Sequence, residues 1–183
     1  MLGRTQGCDL RRHVDDYVVF DLETTGVSPA KDRIIEISAI RVRDGMPVEE
    51  FSSLVNPNRL IPPGASRVNH ITNDMVAAAP RIQEILPDFL DFIGNDILVG
   101  HNIYAFDLKF IYRESRLIYH RIPGNDFVDT LSYARRKLPQ LAHHRLGDLA
   151  NYYGINPEGA HRALCDCRMN QQVFERMSLE SDH

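Results

Sequence analysis

The stretch VVFDLETTG, residues Val18–Gly26, runs from an apolar, strand-like segment into two acids separated by one leucine. In a β-strand, residues two apart point to the same face, so Asp21 and Glu23 present two carboxylates side by side, next to Tyr17 and Val19. Two like charges ~4 Å apart at an effective dielectric of about 20 repel by roughly 4 kcal/mol. A hard cation between them would remove that cost. The pair is either the start of a metal site or a strand end that emerges into water.

The composition is that of one soluble globular domain. The chain has 183 residues, of which 43% are hydrophobic and 25% charged, enough for a sizeable core. We expect a single domain over residues 1–183, with 1–15 as a polar N-terminal extension. A net charge of -4 argues against binding of nucleic acid through a broad basic surface, so a polyanion would have to bind at a local site.

The sequence contains no segment typical of secretion or membrane insertion. Its first residues are polar, and nowhere do 18 apolar residues run together. We therefore expect a cytoplasmic protein that does not contact membranes. Cys8, Cys165 and Cys167 form an odd set without CxxC spacing, which predicts reduced thiols. A zinc site built on the last two is disfavoured, because residues two apart on a helix point about 200° apart.

Three β-rich runs open the chain, and alternating patterns follow them. The runs are Tyr17–Leu22, Ile34–Val42 and Val48–Val55, and Asp44-Gly45 between the last two is typical of a hairpin turn. The Pro- and Gly-rich stretch 56–66 predicts a loop. Helical spacing is found in 73–79, 81–94, 105–115, 131–138, 144–154 and 162–177, and short strands in 96–100 and 126–130. This order predicts an α/β fold with a mixed sheet covered by helices.

Two later acids fall on helix faces that should be buried. Asp107 precedes Phe110 and Ile111 by three and four residues, and Asp166 shares a face with Ala163. A buried carboxylate needs a partner, so each is a candidate ligand or a helix-end residue at the surface. His161 lies five residues before Asp166, about 140° away on a continuous helix. We therefore expect that helix to begin after His161 and the imidazole to lean from a loop toward the same pocket.

Three motifs in this order resemble the DnaQ-like 3′–5′ exonucleases of the Asp-Glu-Asp-Asp type with a catalytic His. They are FDLETTG (20–26), VGHNIYAFDLKFI (99–111) and HRALCD (161–166), and the similarity extends from Tyr17 to Met177. The resemblance implies a ribonuclease H-like fold, a five-stranded mixed sheet with helices on both sides. It also implies a family that includes exonucleases of bacterial replicative DNA polymerases, so a DNA polymerase is an expected partner.

The resemblance assigns the catalytic residues. Asp21, Glu23, Asp107 and Asp166 match the metal ligands, and His161 matches the general base. The histidine subtype rests on one position, because the tyrosine subtype has Tyr where this chain has Arg162. The resemblance also implies substrate contacts, made by backbone groups, hydroxyls and apolar side chains. These contacts are assigned to Thr24, Thr25, Gly26, Ile61, Ile71, His101, Asn102 and Phe106.

The chain departs from the family pattern at two places. The commoner second motif has Asp five residues after its His, whereas Asp107 stands six after His101. This extra residue weakens the nucleotide contacts carried over to His101 and Asn102. His70 also stands where many relatives have Gly, in a loop that helps to hold the terminal nucleotide.

The implied chemistry is phosphodiester hydrolysis with two divalent ions, Mg²⁺ or Mn²⁺. Four carboxylates carry about -4, and two such ions bring the cluster near neutrality, so an anionic phosphodiester can be held. All-oxygen ligands suit these hard cations. His161 would take a proton from the attacking water. The expected substrate is a nucleic acid with a free 3′ end, with DNA favoured over RNA.

Two other functions are compatible with the sequence. An RNA-trimming exonuclease of the same family would use the same site, because the 2′-hydroxyl is distinguished by small contacts. A binding module that kept the fold and lost the chemistry is disfavoured by the presence of all four acids and His161.

Overall fold

A five-stranded sheet forms the centre of the protein in a computed structural model, which describes residues 6–156 and 161–181. The strand order is β3-β2-β1-β4-β5, with β1, β2 and β3 antiparallel and β1, β4 and β5 parallel. This confirms the predicted five-stranded mixed sheet. The strands are β1 (Tyr17–Thr24), β2 (Ile34–Arg43), β3 (Met46–Leu54), β4 (Leu98–Gly100) and β5 (Phe127–Asp129).

Helices cover both faces of the sheet, as expected. On one face, α3 and α4 pack with the side chains of Phe20 and Leu22. On the other face, α5, α6 and α7 pack with Tyr17 and Val19. The helices are α1 (Pro63–Asn69), α2 (Asn73–Ala77), α3 (Ile82–Ile93), α4 (Asp107–Tyr119), α5 (Thr130–Lys137), α6 (Leu146–Tyr152) and α7 (Ala163–Ser178).

The hairpin between β2 and β3 turns at the predicted pair. Asp44 and Gly45 both have positive φ, 51° and 72°. Two successive left-handed residues match the twist of a tight hairpin, which is why Asp-Gly is favoured there. The prediction from this dipeptide is confirmed, and the hairpin pairs β3 with β2 at one edge of the sheet.

The prediction of a loop over 56–66 is wrong in its last residues, because α1 begins at Pro63. Pro at the first helical position costs nothing there, since its missing N–H would have no helical partner and its φ is already helical. Pro62 is the extended residue before the helix. The proline pair therefore starts a helix as well as ending a loop.

The N-terminal segment lies along the free edge of β5. The N–H of Leu10 donates to the carbonyl of Phe127, and the N–H of Phe127 donates to the carbonyl of Cys8. Within the described part of this segment, Val14 is buried in the core. Over the residues that the structure describes, no helix has the length and apolar character to cross a lipid bilayer.

Candidate metal centre and active site

Strand β1 and helix α7 bring three of the predicted acids together. Asp21, Glu23 and Asp166 each offer a carboxylate oxygen, and these oxygens all lie within 4.8 Å of one another. The three side chains are half-buried at the end of the sheet. We call Asp21, Glu23 and Asp166 the carboxylate trio. The side-by-side arrangement that the D-x-E spacing predicts in β1 is thus completed by an acid 143 residues further along the chain.

Asp107 lies beside the carboxylate trio, at the first residue of α4. Its side chain is 2% exposed, and its Oδ1 accepts a hydrogen bond from the backbone N–H of Leu22 at 3.2 Å. Leu22 stands between Asp21 and Glu23 in β1. This contact ties the start of α4 to the strand that carries two of the other acids, and it brings a fourth carboxylate to the centre.

Burial and mutual repulsion raise the pKa of these acids. Burial, then repulsion from Asp166 and Glu36, raises the pKa of Glu23 to about 8. Burial is also the largest cause that raises the pKa of Asp21 and of Asp107 well above the usual range, and it raises the pKa of Asp166. Ionising all four carboxyl groups is therefore energetically unfavourable unless a cation lies between them. A donor set made of oxygen alone suits a hard divalent cation such as Mg²⁺ or Mn²⁺, so the residues fit the implied ions.

His161 precedes α7 and lies next to Asp166. As predicted, α7 begins only at Ala163, so His161 belongs to the loop before it. The residue is exposed and has a left-handed backbone, φ 67°. Its backbone N–H donates to Oδ2 of Asp166 at 3.2 Å. The turn thus holds an accessible imidazole at the rim of the carboxylate trio.

Sequence reasoning missed a fifth carboxylate behind the trio, that of Glu36. It lies directly opposite Glu23 in the β1–β2 ladder and is 3% exposed. Its oxygens accept from the guanidinium of Arg162 and from the N–H of Ala163, the latter at 3.0 Å. Glu36 therefore fixes the first residues of α7. The signal was present in the run IIEIS, where one acid interrupts an apolar strand as in β1.

Asn69 is a second residue that the sequence did not single out. It is 2% exposed at the end of α1, its Nδ2 donates to the carbonyl of Thr24 at 3.4 Å, and its hydrogen bond to Glu23 lowers the pKa of that carboxyl. The next residue, His70, has a left-handed backbone with φ 60°. Glycine would adopt that conformation without strain, whereas a histidine there is strained.

The predicted contacts in Thr24–Gly26 form the turn that leaves β1. The hydroxyl of Thr24 donates to the carbonyl of Gly26 at 2.7 Å, and the hydroxyl of Thr25 donates to Asp32 Oδ1 at 3.2 Å. A Cβ on Gly26 would lie 2.6 Å from Oδ2 of Asp32, so glycine leaves room for that carboxylate. The side chains are engaged within the turn, and contact of this turn with a substrate stays a prediction.

The three predicted apolar contacts differ in exposure. Ile61 and Ile71 are 3% and 0% exposed and form a small core cluster with Ile35 and Val76. Phe106 is half-buried directly before α4, with its ring centroid 5.1 Å from that of Phe110. Phe106 is thus the most accessible of the three to a nucleotide. A role for the two isoleucines in substrate binding stays a prediction.

The turn from His101 to Phe106 accommodates the extra residue of the second motif. Asn102 has a left-handed backbone, φ 61°, which lets Ile103 enter the core with 0% exposure. Tyr104 stacks on Phe127 with a centroid distance of 5.5 Å. The added length is used in packing, and Asp107 still reaches β1.

His101 and Asn102 are bound to neighbouring elements. Nδ1 of His101 lies 3.1 Å from the hydroxyl of Thr130, and the N–H of Asn102 donates to Asp129 Oδ1 at 3.1 Å. Burial lowers the pKa of His101 to about 4, so its imidazole is neutral at neutral pH. These contacts account for both residues structurally, and their proposed nucleotide contacts are untested.

Comparisons with known proteins find similar exonucleases and DNA polymerase III proteins. A family model described as Exonuclease matches residues 18–174. The chain is 40% identical over 172 residues to a PolC-type DNA polymerase III of Clostridium perfringens, covering 92% of this chain and 12% of that protein. It is 37% identical over 164 residues to a DNA polymerase III subunit epsilon of Aquifex aeolicus, covering 90% of this chain and 81% of the relative.

A solved structure supports the same relationship. Exonuclease X, in complex with 5′ overhanging duplex DNA, is 31% identical, with a TM-score of 0.70 over 88% of this chain and 90% of that one. The ribonuclease H-like fold predicted from the motifs is thereby confirmed. The chain corresponds to about an eighth of the length of the PolC-type relative but to most of the epsilon subunit and of exonuclease X.

Proposed function

Because the chain belongs to the exonuclease family, whose model matches residues 18–174, we propose that it is a metal-dependent 3′-to-5′ exonuclease. It would release nucleoside 5′-monophosphates from single-stranded or frayed DNA ends. One observation carries this proposal: the carboxylate trio, with oxygens within 4.8 Å of one another, lies beside Asp107 and the accessible His161.

The acids would hold two divalent ions, Mg²⁺ or Mn²⁺. Asp21, Glu23, Asp107 and Asp166 together carry about -4 when ionised, and two ions bring that charge near zero. When bound, the ions would activate a water and stabilise the leaving 3′ oxygen in an in-line displacement. The raised pKa of Glu23, about 8, supports this assignment, since a cation is the group that would favour its charged form.

The protein residues would position the substrate and move the proton. His161, exposed at the rim of the carboxylate trio, would take the proton of the attacking water in its neutral form. The turn Thr24–Gly26 and the face of Phe106 would contact the terminal nucleotide. Stacking of a base on an aromatic side chain does not depend on the identity of the base, as an exonuclease without sequence specificity requires.

The relatives support DNA as the substrate. Exonuclease X was solved with 5′ overhanging duplex DNA, and the two similar curated proteins are DNA polymerase III components. We infer that this chain acts on DNA in preference to RNA, in proofreading or repair. Association with a DNA polymerase is the corresponding proposal for a partner.

A digestion assay tests the activity. A 5′-labelled single strand of DNA and an RNA of the same sequence are incubated with Mg²⁺, Mn²⁺ or chelator. The expected result is a metal-dependent ladder that shortens from the 3′ end, faster on DNA. The Asp21→Asn/Glu23→Gln variant should lose it. The matched variant Asp88→Asn/Asp91→Asn, which changes two exposed acids of α3, should keep it.

Three outcomes would change the proposal. Faster shortening of the RNA would make the chain an RNA-trimming enzyme. Full activity of the Asp21→Asn/Glu23→Gln variant would remove the carboxylate trio from the mechanism. Binding of DNA without cleavage under any metal condition would indicate a binding module.

A further inference from the structure

A groove of about 550 Å³ lies on the other face of the sheet from the carboxylate trio. The starts of β2 and α3, the segment after β3 and the middle of α4 form its walls. Its lining includes four arginines: Arg33, Arg59, Arg81 and Arg113. We call it the arginine groove. Among the described residues that line it, Glu114 is the one carboxylate, so the lining carries an excess of about three positive charges in a chain of net charge -4.

Three of these guanidiniums converge on one turn. Nη1 of Arg33 donates to the carbonyl of Asp32 at 2.9 Å, and Nη1 of Arg113 donates to the same carbonyl at 3.3 Å. Nη1 of Arg59 donates to the carbonyl of Lys31 at 2.8 Å. Each guanidinium has five N–H donors, so most of them are left for a ligand.

The positive charges in the arginine groove are only partly neutralised. Arg113 pairs with Glu114 at 2.7 Å. Over residues 6–156 and 161–181, no carboxylate lies within ion-pair distance of Arg33, Arg59 or Arg81. The carboxylate of Asp32 is engaged elsewhere, by the N–H of Ser28 at 2.9 Å and by Thr25. Like charges held this close repel, and an anion in the groove would relieve that repulsion.

One turn connects the arginine groove to the strand that carries Asp21 and Glu23. The N–H of Arg33 donates to the hydroxyl of Thr25 at 3.0 Å, and the N–H of Thr25 donates to the carbonyl of Arg33 at 2.9 Å. Thr25 follows Glu23 by two residues. The same helix, α4, carries Asp107 at its start and Arg113 in its middle. A nucleic acid strand that contacts both the metal centre and the groove would therefore pass around this turn.

We propose that the arginine groove binds the phosphodiester backbone of nucleic acid beyond the nucleotide that is being cleaved. Guanidinium forks match the geometry of phosphate oxygens. The lining contains no aromatic side chain among the described residues, whereas protein interfaces are enriched in aromatic anchors. This favours a phosphate backbone over an acidic protein. The inference rests on the proposed function for the identity of its ligand.

Anisotropy of labelled single-stranded DNA tests the groove in the presence of chelator, where cleavage cannot interfere. The Arg59→Gln/Arg81→Gln variant, which changes the two exposed arginines, should bind at least about tenfold more weakly. The slope of log affinity against log salt should fall by about 0.7 for each phosphate that the variant no longer neutralises. The control Arg121→Gln/Arg176→Gln, with the same charge change just after α4 and near the end of α7, should match the wild type.

Hydrolysis of the p-nitrophenyl ester of thymidine 5′-monophosphate separates this proposal from the proposed activity. In this ester the p-nitrophenyl group replaces the rest of the strand and carries no phosphate for the groove to bind, so the groove variant should hydrolyse it at the wild-type rate. Loss of DNA affinity with normal ester hydrolysis supports the groove. Loss of affinity from a protein that never hydrolyses the ester supports the groove and rejects the exonuclease.

Two results would overturn the proposal. One is equal DNA affinity of the groove variant, the control variant and the wild type. The other is tighter binding of poly-glutamate than of DNA at the same salt concentration, abolished in the groove variant, which would assign the groove to an acidic protein.

Discussion

Arg162 and Glu36 form a two-bond ion pair directly behind the carboxylate trio, with Nη2 to Oε1 at 2.6 Å and Nε to Oε2 at 3.1 Å. The side chain of Glu36 is 4% exposed and that of Arg162 is 38% exposed. Arg162 stands between His161 and the start of α7, at the position that separates the histidine from the tyrosine subtype. Arg162 neutralises Glu36, the fifth acid of this region. Glu36 in turn fixes Arg162, the residue that follows the proposed base His161.

Breaking this pair from one side should destabilise the fold more than removing both charges. Arg162→Met leaves the Glu36 carboxylate buried without its cation, so we expect a loss of about 2 to 4 kcal/mol in the free energy of unfolding. The double variant Glu36→Gln/Arg162→Met should recover at least about half of that loss. Urea unfolding of the single and double variants measures the coupling, and strictly additive losses would show that the two side chains do not stabilise each other.

The cation-free protein should become less stable as the pH rises from about 4.5 to 8. The pKa of Glu23 is about 8 in the folded chain and 4.5 is its usual value. In this window the folded state keeps a proton that the unfolded state releases, so stability falls with rising pH. Thermal melts in chelator should show a decrease of roughly 5 to 10 °C across the window.

Glu23→Gln provides the matching control for that pH dependence, because glutamine does not titrate. Its melting temperature should fall less over the same range, and the remaining decrease comes from Asp21, Asp107 and Asp166, whose pKa values are also raised. Mn²⁺ should stabilise the wild type more than the variant at pH 8. A wild-type melting temperature that rises between pH 5 and 8 would contradict the raised pKa.

Local patterns predicted the features that depend on neighbours in the sequence. Period-two alternation placed Asp21 and Glu23 on one face of β1, and apolar spacing placed Asp107 on the buried side of α4. The Asp-Gly pair predicted the hairpin. Each of these rests on the geometry of a single strand, helix or turn, which a few adjacent residues determine.

Features that depend on distant contacts were not predictable in the same way. Glu36 pairs with Arg162, 126 positions later. The local sequence around either residue does not predict this pairing. The left-handed backbone of Asn102 turns Ile103 into a core whose other members are distant in the sequence. The arginine groove joins side chains from four separate segments. Packing decides all three, and only the motif resemblance brought the acids together beforehand.

Replacing Asp166 by Asn should abolish cleavage and stabilise the cation-free fold. The change removes one of the repelling carboxylates of the trio while keeping the side-chain shape, so we expect a gain of roughly 1 kcal/mol in chelator. Stabilisation by Mn²⁺ should decrease at the same time. Melting curves with and without Mn²⁺ check both effects, and Asp91→Asn in α3 serves as the control. Unchanged Mn²⁺ stabilisation in Asp166→Asn would exclude this acid as a ligand.

His161→Ala should slow cleavage by about 10² to 10⁴-fold without weakening the metal centre, because the imidazole is exposed and the contact with Asp166 comes from the backbone N–H. Rates at saturating Mn²⁺, combined with Mn²⁺ melting curves, separate the base from a metal-binding role. His143→Ala, at another exposed histidine, is the control. Cleavage by His161→Ala at the wild-type rate would show that another group is the base.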